Sequence, residues 1–170
     1  SEIFDFLEPT GHIVLNGEDD KLSAIEKVKG VQPVFYGLLE NQKVRQDIYG
    51  TNIRELGLKG MEMDIHTKED VCSVTIPIPG RHNAFNALAA VAVARSLGMK
   101  MEEIKDGIES VETIGGRSNL MEAGGITLID DCYNANPVSM RASLDVLSSS
   151  PGRKTAVLGD MGELGENESQ

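Results

Sequence analysis

Apolar residues first cluster at Ile13, Val14 and Leu15, just before the polar turn Asn16-Gly17-Glu18-Asp19-Asp20, and the spacing beyond predicts a helix over 21–29. A buried strand that ends in an Asn/Asp turn and feeds a helix is α/β grammar. Val34-Phe35-Tyr36-Gly37, bounded by Pro33, predicts a second core strand. Between 48 and 78 the period drops to two: Glu62-Met63-Asp64-Ile65-His66-Thr67 and Cys72-Ser73-Val74-Thr75-Ile76-Pro77-Ile78 alternate polar with apolar side chains around Lys68-Glu69-Asp70. That pattern predicts an antiparallel hairpin with one wet face. Pro79-Gly80 then breaks the sheet. A helix over 82–97 follows, apolar on nearly every face from Ala84 to Ala94, so neighbours are expected to enclose it. Gly98 supplies the stop. Ile104, Ile108 and Val111 predict a further helix over 101–111, with Glu102 and Glu103 in the first turn, where the macrodipole favours acid.

The pattern restarts after Gly115-Gly116, which marks the expected boundary between a unit at 1–114 and one at 115–170. Strands are predicted over 119–122 and 126–129, joined by a Gly124-Gly125 hairpin turn. A helix starting near Pro137 carries Met140, Leu144 and Leu147 on one face, and a buried strand is expected over 155–158. Strand, helix and strand with short connections imply parallel pairing. A parallel sheet of so few strands leaves edges and a face uncovered, so the expectation is a piece of a larger protein, or a chain that pairs with another.

Composition narrows the function. Across 170 residues the formal net charge is −11, which argues against a nucleic-acid backbone or an anionic membrane surface as the main partner. No run of 18 apolar residues occurs and the first residues are acidic, so neither a membrane-spanning helix nor a signal peptide is visible, and a cytoplasmic protein is expected. Cys72 and Cys132 match no metal or redox spacing and read as reduced thiols near strands.

Three constellations could carry chemistry. In Pro79-Gly80-Arg81-His82-Asn83-Ala84-Phe85-Asn86 the two asparagines share one helical face beside N–H groups that lack intrahelical partners, an arrangement able to hold a base or an anion. Asn83 or His82 would serve equally as a helix cap. Asn86, a second amide on an apolar helix, favours a ligand, because a buried amide needs partners. Asp130-Asp131-Cys132-Tyr133-Asn134-Ala135-Asn136-Pro137 sits where a strand ends and a helix begins, the edge at which open α/β sheets bind ligands and carboxylates accept from ribose hydroxyls. Asn136-Pro137 is also a good cap with proline at the first helical position. In Leu158-Gly159-Asp160-Met161-Gly162-Glu163-Leu164-Gly165, Asp160 and Glu163 either hold an amine or solvate a loop. Arg117, at the expected junction, suits a phosphate or carboxylate clamp and equally a surface ion pair. Asn16, Asp19 and Asp20 could touch a metal, but nothing else completes a ligand set, and a plain turn is the simpler reading. No phosphate-binding G-x-x-x-x-G-K-[ST], no G-x-G-x-x-G and no H-E-x-x-H occurs.

Taken in order, Leu15 to Asp20, Pro79 to Asn83 with Asn86, Gly116-Arg117, Asp131 to Pro137 and Gly159 to Gly165 resemble the Mur ligases over nearly the whole chain. Tyr-Asn-Ala-Asn-Pro with Gly-Asp-Met-x-Glu-Leu-Gly resembles the branch that joins D-alanyl-D-alanine to UDP-N-acetylmuramoyl-tripeptide. The resemblance implies the second half of a central ATPase domain, a mixed sheet with helices and an antiparallel hairpin, followed by the start of a Rossmann-like C-terminal domain. It implies ATP with Mg2+, formation of an acyl phosphate, and a place in peptidoglycan precursor synthesis, hence in cell-wall biogenesis, cell shape and cell division. Asn83 and Asn86 would then lie at adenine, Asp131 at ribose, Arg117 at ribose or phosphate, Tyr133, Asn134 and Asn136 beside the base, and Asp160 and Glu163 towards the dipeptide. The P-loop lysine and the magnesium ligands of that family have no counterpart here, so catalytic residues stay unassigned and the chain alone is expected not to turn over. The alternatives are another Mur ligase or a folylpolyglutamate-synthase-like ligase, and a non-catalytic nucleotide-binding module of the same ancestry.

Overall fold

Met63 and Ile65 of a five-stranded sheet lose essentially all contact with solvent in one core cluster with Leu88 of a helix, and Phe35 of the same sheet does so in a second cluster with Ile13 and Leu15. A computed structural model describes residues 2–39, 46–162 and 164–165. β1 (Val14–Asn16), β2 (Val34–Leu38) and β3 (Ile48–Glu55) pair in parallel, and β4 (Met61–His66) and β5 (Val71–Ile76) extend the sheet antiparallel in the order β1-β2-β3-β4-β5. The period-2 alternation works as expected, since Met61, Met63 and Ile65 of β4 turn inward while the residues between them stay partly open. On the open face Tyr49 stacks on His66, whose Nε2 lies 2.8 Å from the Thr51 hydroxyl.

Two of the helices pack on this sheet. α2 (His82–Ser96) buries Ala84, Ala87, Leu88, Val91 and Ala92, the i, i+3, i+4, i+7 stripe of a helix lying on a core. The expectation that α2 is enclosed on every face is corrected. Asn86, Ala90, Val93 and Leu97 form an exposed stripe, because α3 (Met101–Glu109) packs mainly against β5 and leaves a groove of about 330 Å³ beside α2. The small side chains of Ala87, Ala90 and Ala94 keep that groove open.

Residues 119–130 form a separate antiparallel hairpin, β6 (Asn119–Ala123) with β7 (Ile126–Asp130). Gly124 and Gly125 turn it with φ of 58° and 76°, the positive pair that a tight hairpin demands and that glycine adopts without strain. α4 (Pro137–Ser149) follows.

Two further elements differ from expectation. The helix over 21–29 shrinks to α1 (Asp20–Ser23): the Asp19 carboxylate caps it, but Lys29 and Gly30 take positive φ and Val28 bridges to Val31, so the chain reverses instead of continuing to wind. The buried strand over 155–158 is absent, and Val157 is 94% exposed. A strand is held by its neighbours' N–H and C=O groups, and among the described residues none runs beside this stretch, so the parallel pairing is not formed. No helix of the described residues is long and apolar enough to cross a membrane.

Candidate functional site

The amides at the start of α2 are wired in one direction only. Asn83 is 8% exposed, and its Nδ2 donates to the Pro79 carbonyl at 2.8 Å. A carbonyl can only accept, so the Asn83 amide is turned with its nitrogen towards Pro79 and its oxygen away. That oxygen accepts from Asn86 Nδ2 at 3.0 Å. Asn86 is thereby turned as well, and its Oδ1, which accepts from no described residue, faces outward as a free acceptor. Neither Asn83 nor His82 caps α2, since no side chain among the described residues bonds the helix's first N–H groups. The expectation of a buried Asn86 is also corrected: Asn86 is exposed, and its partner is another amide.

His82 sits against this relay, its Nε2 3.2 Å from Asn83 Nδ2. Gly80 makes the approach possible. It has φ of 101°, and a Cβ there would lie 2.6 Å from His82 Cε1 and 3.1 Å from Val146 of α4. Partial desolvation lowers the His82 pKa from its ordinary value, and the charge of Asp131 opposes this. The start of α2 and the 115–149 region therefore come together at Gly80 and Val146, and the Asp131 charge acts on His82.

On the far side, the turn at 116–118 is stitched to the end of β7. Gly116 N donates to Asp130 Oδ2 at 2.8 Å, and Tyr133 N donates to the Gly116 carbonyl at 2.9 Å. Ser118 N donates to Asp131 Oδ1 at 2.9 Å. The other Asp131 oxygen accepts from the Ser143 hydroxyl of α4. These bonds gather Arg117, Asp131 and Tyr133 into one exposed cluster, with the Arg117 guanidinium 4.1 Å from the centre of the Tyr133 ring. The guanidinium lies over the ring face, and Arg117 forms no ion pair with a described residue.

The remaining expected site residues are engaged differently. Asn136 caps α4, its Oδ1 accepting from Val138 N and Ser139 N while Ser139 Oγ accepts from Asn136 N, so only its Nδ2 stays available. Asn134 Oδ1 accepts from Ala135 N at 2.9 Å within the same turn. Asp160 lies in an extended stretch with no hydrogen bond or ion pair to a described residue, and Glu163 lies outside the described residues. Asp19 and Asn16 act locally, one capping α1 and the other accepting from Glu18 N at 2.9 Å. The sequence pattern offers His82 only as a cap and carries no signal for Ser118 or Ser143. The contact of His82 with Asn83 depends on Gly80, whose open space no residue pattern displays.

The Cys132 thiol donates to Asp130 Oδ1 at 3.1 Å, which raises the thiol pKa and lowers that of Asp130. Since the thiolate is the reacting form, Asp130→Asn is expected to speed alkylation of Cys132 at pH 7.5 by about threefold. The rate at Cys72 in the same sample is the internal control.

Similarity to known proteins follows the same division of the chain. The family model described as the Mur ligase middle domain matches residues 1–94, and that described as the Mur ligase, glutamate ligase domain matches residues 116–170. The UDP-N-acetylmuramoyl-tripeptide--D-alanyl-D-alanine ligase of Escherichia coli is 35% identical over 165 residues, covering 96% of this chain and 36% of that protein. Its counterpart in Treponema pallidum is 50% identical over 93 residues, 54% of this chain and 20% of that one. A crystal structure of MurF from Acinetobacter baumannii superposes with a TM-score of 0.87 at 36% identity, covering 98% of this chain and 36% of the other. MurF ligase from Thermotoga maritima in complex with ADP gives 0.73 at 26% identity, covering 91% and 34%. The chain thus spans about a third of the length of the relatives that it matches along nearly its whole length.

Proposed function

The chain belongs to the Mur ligase family, and we propose that it forms the adenosine-holding part of an ATP-dependent ligase that joins D-alanyl-D-alanine to UDP-N-acetylmuramoyl-tripeptide. The observation that carries the nucleotide part is the amide relay, which leaves Asn86 Oδ1 as an outward acceptor. An acceptor at that place pairs with the exocyclic amino group of adenine and meets only another acceptor in a base with a carbonyl there. Asp131 accepts from the ribose hydroxyls, because each carboxylate oxygen keeps a lone pair beyond its present bond. Arg117 answers phosphate charge from its stacked position. ATP, when bound, supplies the phosphoryl group that turns a substrate carboxylate into an acyl phosphate. The chain's own residues bind and orient, with groups from both the 1–114 and the 115–170 unit serving one nucleotide. Among the described residues no cluster of three acidic, histidine or cysteine side chains fits a metal, so none of them is assigned to the Mg2+ that accompanies ATP. The dipeptide specificity rests on likeness to relatives named for that reaction.

Exchanging this segment for its counterpart in the Escherichia coli relative tests the whole reading. The chimaera is expected to release ADP only when UDP-N-acetylmuramoyl-tripeptide and D-alanyl-D-alanine are both present. A folded chimaera that binds the UDP precursor yet releases ADP without regard to the dipeptide would contradict it.

A further inference from the structure

We propose that His82 is a positioning residue for the base-reading amide, its neutral Nε2 accepting the second Asn83 amide hydrogen and so holding the relay that turns Asn86 Oδ1 outward. The proposal rests on the nucleotide reading above and adds a group and a pH dependence to it. Asn83 Nδ2 has two hydrogens; one goes to the Pro79 carbonyl at 2.8 Å, and the other points to His82 Nε2 at 3.2 Å. A nitrogen that already donates cannot be matched with a second donor, so this contact requires Nε2 without a proton and the neutral ring with its proton on Nδ1. Protonation of Nε2 sets two donors against each other, a clash that is relieved when the Asn83 amide turns away from Pro79.

The surroundings of the ring favour such a two-way choice. From the segment after β7 the Asp131 charge acts on it, from α4 the apolar Val146 comes up beside Gly80, and its own helix presents Asn83. Desolvation lowers the His82 pKa, so the neutral ring and the intact relay prevail at neutral pH. The sign follows directly: the relay's contribution is fully present above the ordinary histidine pKa of about 6.5 and is lost as pH falls through the lower value of the folded chain. Acid therefore weakens the contact to the base.

The test uses adenosine, which carries no phosphate to titrate near pH 6, and follows binding to the 170-residue chain by NMR between pH 7.5 and 5. Unmodified chain is expected to lose about tenfold in affinity over that range, the scale of a lost hydrogen bond. His82→Gln, whose side-chain oxygen accepts the same N–H at any pH, is expected to bind as well at pH 5 as at pH 7.5. His82→Phe is expected to bind poorly throughout while retaining the circular-dichroism spectrum of the folded chain. The same fall in affinity in His82→Gln as in the unmodified chain, or no fall in either, overturns the proposal. Without ligand, the Asn83 side-chain amide protons are expected to shift with the His82 titration, and resonances that stay fixed while the ring titrates overturn it independently. Absence of adenosine binding at every pH, with the Asn83 protons following His82, would uphold the relay and defeat the nucleotide reading instead.

Discussion

Asn83→Asp is expected to lower the melting temperature by about 4–10 °C and to abolish measurable preference for adenine. Asn83 bonds Pro79, His82 and Asn86 together. A carboxylate of the same shape still accepts from Asn86, but it has no hydrogen for the Pro79 carbonyl or for His82 Nε2. Two acceptors then face each other in a buried site. An unmet buried carbonyl costs about 1–3 kcal/mol, and the repelling charge adds to it. At about 2–4 °C per kcal/mol for a chain of this size, the stated drop follows. Asn83→Ala removes the same donors without adding charge, so its loss of stability should be the smaller of the two. Thermal melts of both variants, read beside ADP and GDP titrations, check the ranking. Equal stability of Asn83→Asp and the unmodified chain would mean that the relay does not hold the helix start.

Gly60→Ala is expected to damage the fold more generally. Gly60 has φ of 97° and ψ of −136°, a region closed to residues with a side chain, and an added Cβ would stand 1.9 Å from the Ile76 carbonyl oxygen and 2.9 Å from Ile78 N. Both neighbours are backbone, so no rotamer change makes room. Gly60 precedes the Met61 and Ile76 pair that begins the β4–β5 ladder. The strain alone is worth about 1–3 kcal/mol, and parting two paired strands raises the total to about 3 kcal/mol or more, a large share of the about 5–15 kcal/mol typical of a folded domain. The expected fall in melting temperature is about 6–12 °C. Because α2 packs on this sheet, nucleotide binding should weaken along with it. A Gly60→Ala chain that melts with the unmodified one would show that the 56–60 turn has another conformation in solution.

Much of the architecture was legible in the residue pattern, and the exceptions share a cause. The β4–β5 hairpin, α2, α3, the β6–β7 hairpin and α4 follow from local periodicity and from glycine or proline at their ends. Residues 155–158 have the apolar run of a strand, but their state depends on a partner strand, and partnership is not a local property. The stretch after α1 likewise has helical spacing, yet Lys29-Gly30 turns the chain back on itself. α2 reads as enclosed because alanine is apolar; where those alanines lie, the structure has an open groove.

The site was legible as residue types and not as wiring. Asn83, Asn86, Arg117, Asp131 and Tyr133 stand out by kind and spacing, and the structure gathers the first two into a relay and the last three into a cluster. Asn136 shows the opposite outcome, since capping α4 accounts for its amide oxygen. Which way an amide points is decided by a carbonyl four residues away, and that fact belongs to the folded chain alone.

The most direct measurement compares ADP with inosine diphosphate, which differs at the six position of the base by carrying a carbonyl in place of the amino group. If Asn86 Oδ1 is presented as an acceptor, the chain binds ADP at least about tenfold more tightly, the effect of one well-placed base contact, and Asn86→Ala brings the ratio close to one. Equal affinity of the unmodified chain for the two nucleotides would contradict the account.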